Sequence, residues 1–376
     1  MKNIVTPDLN RRRFLFGSAA VAAVLATPGC AYLTPRPQAA TTTPVEPKID
    51  GDLVYFNWAD YVDPTVFEGF QKEYGVKVIQ SNFDSMESMQ AKLAAGNRYD
   101  IIFPSAQWVQ KLVAANQLRT IDPSTLKNAP LIFDHYRYFA DPWYDRHSTH
   151  SIPFSMYKTG IAWRKDKLGE TLTGSWSDLW NPTAKGRTFI LDDRDEVLGM
   201  LSLRLGYDVN TAADDELAAV VDKFRSLRPY LRGFSSDDYN NLLAGDAWMH
   251  QTWSGDIAAL LWQAPDPSIY GFSAPKEGAP INSDAYAIPL NAQHPGTALL
   301  FIDYMLRPEN VEKNINYIGY PMPVHGTEDT YQEIVADYPE CAVTVDDLSR
   351  NLYFTNDGVA KTQARDAAYT EMKVGV

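Results

Sequence analysis

Acidic and aromatic side chains recur together along this chain. Asp60 lies between Trp58 and Tyr61, Asp256 follows Trp253, Asp284 precedes Tyr286, and Asp193 and Glu196 stand three apart. These residue types suit an organic cation, because ring faces take its charge and methylenes while carboxylates accept from its N–H groups. One acid in a loop is ordinarily solvated or a helix cap. Four such places, drawn from both halves of the chain, would form a cation box on converging in one cleft, with acids spaced for two or more ammonium groups.

The elements that must position them are legible from spacing. Leu53 to Phe56 is a short apolar run of β-formers, and Asp63-Pro64 then supplies an N-cap and a proline at the first helical position. Trp58, Asp60 and Tyr61 therefore fall where a strand ends and a helix begins, the place where open α/β sheets bind ligands. Val66, Phe67, Phe70 and Tyr74 recur at helical spacing, Val76 to Asn82 alternates as a strand, Met86, Met89 and Leu93 mark a helix, and Asp100 to Phe103 is a buried-type strand. This β-α-β-α-β run predicts a parallel sheet with helices on both faces. Ser105 repeats the strand-end position of Trp58, with N-capping as its ordinary role. Further on, Ser151 to Trp163 reads as a strand with Pro153 placed as a hinge, and Thr188 to Leu191 is a strand leading into Asp193 and Glu196. Asp214 to Leu227 is an amphipathic helix burying Leu217, Val220, Val221, Phe224 and Leu227, Ala247 to Trp253 is a strand ending at Asp256, and Asp284 to Pro289 is a return crossing.

Enzyme signatures are missing: there is no phosphate-cradling Gly/Lys loop, dinucleotide fingerprint, GxSxG elbow or HExxH. His147 and His150 lie in a polar loop without a nearby cysteine, which argues against a metal there. No cofactor and no catalytic residue is expected.

At 376 residues the chain suits two domains, and 45% hydrophobic content allows a large core. Residues 1–29 read as an export signal: Lys2 and Arg11 to Arg13 precede an apolar run from Phe14 to Ala26, too short for a membrane span. NRRRFL at 10–15 resembles a twin-arginine signal, and Gly29-Cys30 a lipoprotein processing site at which Cys30 would be acylated. Plain cleavage and release is the alternative. Residues 30–50, with Pro35, Pro37, Pro44 and Pro47, read as a tether. Two cysteines are too few for a disulfide framework, and an acylated Cys30 leaves Cys341 a buried thiol. Beyond residue 29 there remain 30 basic and 46 acidic residues, net −16. That balance repels nucleic acid and anionic membrane, leaving the lipid as the membrane contact.

From residue 53 onward the chain resembles the extracytoplasmic polyamine-binding proteins of bacterial ABC importers, the putrescine and spermidine binders. The resemblance is carried by NWADYV at 57–62, AKLAAGNRYDIIFPS at 91–105, SWSDLWNP at 175–182, DDRDEV at 192–197, WSGD at 253–256, SDAYAIP at 283–289 and IGYPMP at 318–323. It implies an α/β fold of the type II periplasmic-binding-protein class, two α/β lobes joined by a hinge, with lobe 1 at 51–153 plus 285–318 and lobe 2 at 154–284 plus 319–376. It also implies a monomer that hands a polyamine to a membrane permease and its ATPase. Trp58 and Tyr61 would belong to the aromatic box, Asp60 would meet one ammonium end, and Ser105 would add a hydroxyl or backbone contact. Asp193 and Glu196 would face the other end, where the diamine binders use the acid at Asp256. Trp253 would stack on methylenes, Asp284 would meet a nitrogen and Tyr320 would line the wall. Gln107 and Asn282 depart from the aromatics of the spermidine binders, Thr355 from a glutamine and Ala59 from a hydroxyl residue. These departures bear on which polyamine binds and favour a short diamine. The rival readings are another solute on the same fold (an opine, an amino acid derivative, thiamine or iron) and an exported hydrolase or lyase.

Overall fold

Among the described residues, 45–132, 137–356 and 358–374 of the computed structural model, nine strands form one mixed sheet. They are β1 (Leu53–Trp58), β2 (Val78–Phe83), β3 (Ile101–Ile102), β4 (Ser151–Arg164), β5 (Thr188–Ile190), β6 (Leu231–Phe234), β7 (Met249–Trp253), β8 (Tyr270–Ser273) and β9 (Ile281–Ala287). Their order is β2-β1-β3-β9-β4-β7-β5-β6, with β8 also on β4. The export signal, Cys30 and most of the tether lie outside the described residues. No helix among the described residues is long and apolar enough to cross a membrane.

The sheet has two parallel halves. In the first, β1 pairs in parallel with β2 and β3; in the second, β5 pairs in parallel with β6 and β7. Between them β9 and β4 run antiparallel to each other. The fourteen-residue β4 belongs to both halves: Ser151 to Lys158 pair with β9, and Thr159 to Trp163 pair with β7. Pro153 does not break this strand. Proline lacks an N–H, and a register shift between Pro153 and Ser155 absorbs the gap in the ladder. The change of partner comes later, between Lys158 and Thr159, and that is the seam between the halves.

Apolar packing fills both halves, and the cluster under β1 runs on into Phe189, Trp253, Ile257 and Phe272 of the second. Under β1, Tyr55, Phe67, Phe70, Phe103 and Phe301 meet at centroid separations of 4.9–6.0 Å. In the other half, Leu217, Val220, Val221, Phe224 and Leu227 of the helix Asp214–Leu227 face the core, as their spacing predicts, and join Trp176, Ile190, Leu201 and Met249. The C-terminal helix Val359–Val374 adds Ala368 and Met372 to the same cluster. Cys341 is buried, and burial pushes its thiol pKa up.

Candidate functional site

Strand ends deliver the site, and local capping explains how. After β1, Asp63 Oδ1 accepts from the Thr65 N–H at 2.7 Å and Pro64 opens the helix Pro64–Tyr74. After β5, Asp193 caps the helix Arg194–Leu205, accepting from the N–H groups of Asp195 and Glu196 at 2.9 and 3.0 Å. After β7 the helix Ser254–Gln263 begins at once, with Asp256 in its first turn. The positive end of a helix dipole favours acids at both starts.

Five rings form a belt. Trp58 and Trp253 stand 6.0 Å apart, Trp253 and Tyr157 6.0 Å, Tyr157 and Tyr320 5.7 Å, and Tyr320 and Tyr61 5.3 Å, all edge to face. Tyr320 lies flat against the backbone of Gly255: a Cβ there would meet its Cδ2 at 2.0 Å, so the WSGD segment requires the glycine. Tyr61 donates to Asp284 Oδ2 at 2.9 Å and lies 2.9 Å from Ser155 Oγ, while Tyr157 donates to Asp284 Oδ1 at 3.4 Å. Trp253 Nε1 donates to Glu196 Oε1 at 3.0 Å.

Burial raises the pKa of the acids inside, Asp284, Glu196, Asp193 and Asp256. Burial pushes Asp284 up to about 7, against the two tyrosine hydrogen bonds. Burial likewise pushes Glu196 up to about 8, against the Trp253 hydrogen bond and the neighbouring Thr159 hydroxyl. Asp193 is raised by burial and then by the charge of Glu87; Asp256 is raised by burial and then by Asp238 beside it. At the site Ser105 Oγ, Glu196 Oε2 and Thr159 Oγ1 have no well-formed hydrogen bond among the described residues, and the Thr159 hydroxyl lies close enough to Glu196 to lower its pKa. Such atoms are costly in a closed interior unless something else meets them.

Of the residues singled out by sequence, Trp58, Tyr61, Glu196, Trp253, Asp284 and Tyr320 come together in this belt. Asp256 adjoins it through Tyr320 and Asp284, and Asp193 adjoins it through Glu196. Ser105 occupies the N-cap position of the helix Ala106–Ala114, but its hydroxyl makes no cap; the residue instead bridges to Asp284 through the backbone. Asp60 stands apart: it is exposed, on left-handed backbone with φ 51°, and its charge bears on Tyr317. Tyr157, Ser155 and Asp238 were missed. For the first two a signal existed, since alternation along β4 puts Ser155 and Tyr157 on one face. Asp238 is buried, accepts from the Thr252 hydroxyl, and reaches Asp256 only by tertiary packing.

The profile of bacterial extracellular solute-binding proteins matches residues 65–343. The spermidine/putrescine-binding periplasmic protein of Escherichia coli is 32% identical over 330 residues, covering 86% of this chain and 92% of that protein. The putrescine-binding periplasmic protein PotF of the same organism is 32% identical over 297 residues, 71% of this chain and 76% of that protein. Among solved structures, the PotD lipoprotein of Treponema pallidum superposes with a TM-score of 0.73 at 26% identity, over 85% of this chain and 98% of that one. The fold is thus the two-lobed type II periplasmic-binding-protein fold, in which β4 and β9 pair between the two halves of the sheet. The matched profile and these relatives place the chain in the family of bacterial extracellular solute-binding proteins.

Proposed function

We propose that the protein captures a polyamine, putrescine or spermidine, in the cleft between its lobes and delivers it to an ABC permease with its ATPase. The observation that carries this reading is the belt of five rings around Asp284 and Glu196, beside which Ser105 Oγ has no partner and Glu196 Oε2 has only the neighbouring Thr159 hydroxyl among the described residues. A dication offers each of them a donor and places its methylenes against the rings. Each charge-assisted hydrogen bond contributes roughly 1.5–3 kcal/mol and each desolvated cation–π contact up to about 2 kcal/mol. After ordering costs, a few of each correspond to micromolar or tighter binding. The names of the relatives support the same ligand class.

In this reading Trp58, Tyr61 and Ser105 act from lobe 1 (51–153 plus 285–318). Asp193, Glu196, Trp253, Asp256 and Tyr320 act from lobe 2 (154–284 plus 319–376), and Asp284 sits on β9. A ligand that touches both lobes favours the closed state by differential affinity, and the permease reads closure. The protein acts as a monomer and retains its ligand unchanged. Calorimetry against putrescine, cadaverine, spermidine and spermine tests this: one-to-one binding of at least one amine is expected, and absence of binding by all four overturns it. Putrescine is expected to bind at least as tightly as spermidine.

Export and anchoring through Cys30 complete the proposal, motivated by the twin-arginine pattern, the apolar run and the Pro-rich tether. The Treponema pallidum neighbour is itself named a lipoprotein. Cys30→Ser is expected to move the protein from the membrane fraction to the soluble one. A wild-type protein already wholly soluble would remove the anchor from the proposal.

A further inference from the structure

Gln107 and Asn282 stand where the resemblance to the spermidine binders implies aromatics, yet their amides are committed to each other. Asn282 Nδ2 donates to Gln107 Oε1 at 3.1 Å, and Gln107 Nε2 donates to Asp195 Oδ2 at 3.1 Å. The Asn282 side-chain oxygen accepts from the Ser283 N–H at 2.9 Å. All three side chains are buried, at 4%, 2% and 4% exposure for Gln107, Asn282 and Asp195. Asp195 is also paired with Arg194 at 2.9 Å and Arg365 at 3.2 Å, so its charge is met by the protein.

The course of this amide chain is what gives it consequence. Gln107 lies on the helix that follows β3 in lobe 1, and Asp195 on the helix that follows β5 in lobe 2. Asn282 is on β9, two residues before Asp284 and hence on the same face, about 7 Å away by strand rise. Asp195 immediately precedes Glu196. One end of the chain is therefore set beside Asp284 on the strand and the other one residue from Glu196, whose carboxyl feels the charges of both Asp195 and Asp284. Each amide is used at both ends and the chain terminates on a carboxylate, an arrangement in which successive hydrogen bonds reinforce one another.

We propose that Asn282, Gln107 and Asp195 form a clasp between the lobes, which positions Glu196 against Asp284 and favours closure whether or not a ligand is present. In an open state water would replace these partners, so the clasp biases the equilibrium modestly and leaves the ligand to complete it. A protein with a larger closed fraction binds more tightly in proportion, because apparent affinity scales with the competent population. The effect on affinity rests on the cation-binding reading above; the effect on closure does not.

Gln107→Met keeps the length of the side chain and removes both hydrogen bonds. Spin labels on the helices Met86–Ala94 and Asp214–Leu227 report the distance between lobes in the ligand-free protein. The variant is expected to shift that distribution to longer distances, with the closed fraction falling about threefold, and to raise the Kd for putrescine by about the same factor. Should Gln107→Met fail to fold, Asn282→Ala removes the far end of the chain and is expected to shift both readouts in the same direction by less. Superimposable distance distributions for wild type and a folded variant would overturn the clasp. If no polyamine binds the wild type, the ligand reading falls, while the ligand-free distances still decide the clasp.

Discussion

Asp284→Asn is expected to weaken polyamine binding at least about thirtyfold, with thermal unfolding of the ligand-free protein close to wild type. Asp284 is 3% exposed and accepts from Tyr61 and Tyr157. An asparagine keeps the shape and one acceptor oxygen for those hydroxyls, so the local packing survives. What it loses is the charge that an ammonium needs in a water-poor site. Removing one partner of a desolvated pair costs about 2–5 kcal/mol, and the lower end of that range is already about thirtyfold. Asp256→Asn is expected to weaken binding too, although Asp238 beside it keeps one carboxyl in place. Calorimetric affinities unchanged in both variants would put these acids outside the ligand box.

The second large effect is a dependence on pH that runs in opposite directions for stability and for binding. Burial holds Asp284 near 7 and Glu196 near 8, above their ordinary values of 3.8 and 4.5. A carboxyl that holds its proton more tightly when folded contributes stability that is full below the unfolded value and is lost as pH rises through the folded one. The ligand-free protein is therefore expected to lose stability between pH 5 and pH 8. Binding of a dication has the opposite sign, because the ammonium groups need carboxylates and the bound acids must release their protons. Affinity is expected to fall about tenfold per pH unit for each carboxyl that has to ionise, below about 7 for Asp284 and below about 8 for Glu196, while the amines stay protonated throughout. The rise in Tm caused by putrescine should accordingly be larger at pH 8 than at pH 5.5, with protons released on binding at pH 6.5. An affinity flat between pH 5.5 and 8 would mean that neither acid meets the ligand as a carboxylate.

Much of the architecture needed no tertiary information. Asp63-Pro64 starts a helix because an aspartate side chain and a proline ring act within three residues of themselves, and the structure has that cap. The buried stripe of Asp214–Leu227 follows from period 3.6 alone, down to each of its five core residues. The alternation of strands and helices from Leu53 to Ala114 likewise specifies a parallel half-sheet, since parallel neighbours need a crossover between them. Trp58, Glu196, Trp253 and Asp284 could be nominated because each sits at a strand end or on a return strand, where the chain has to present something to the cleft.

Tertiary structure decided which of the nominees meet. Asp60 and Tyr61 are adjacent in sequence, yet the left-handed backbone at Asp60 exposes the acid while the tyrosine is buried against Asp284. Tyr157 enters the belt because β4 exchanges β9 for β7 just beyond it, and strand pairing across 86 or more residues of separation has no local signature. Asp238 reaches Asp256, and Gln107 reaches Asp195, across distances in sequence that no periodicity spans. The sequence by itself determined the elements, the strand-end acids and the chemistry they offer, because caps and periodicity act over a few residues. Only the tertiary structure decided which side chains face one another, because hydrogen bonds and ring contacts act over a few ångströms wherever the chain has been brought together.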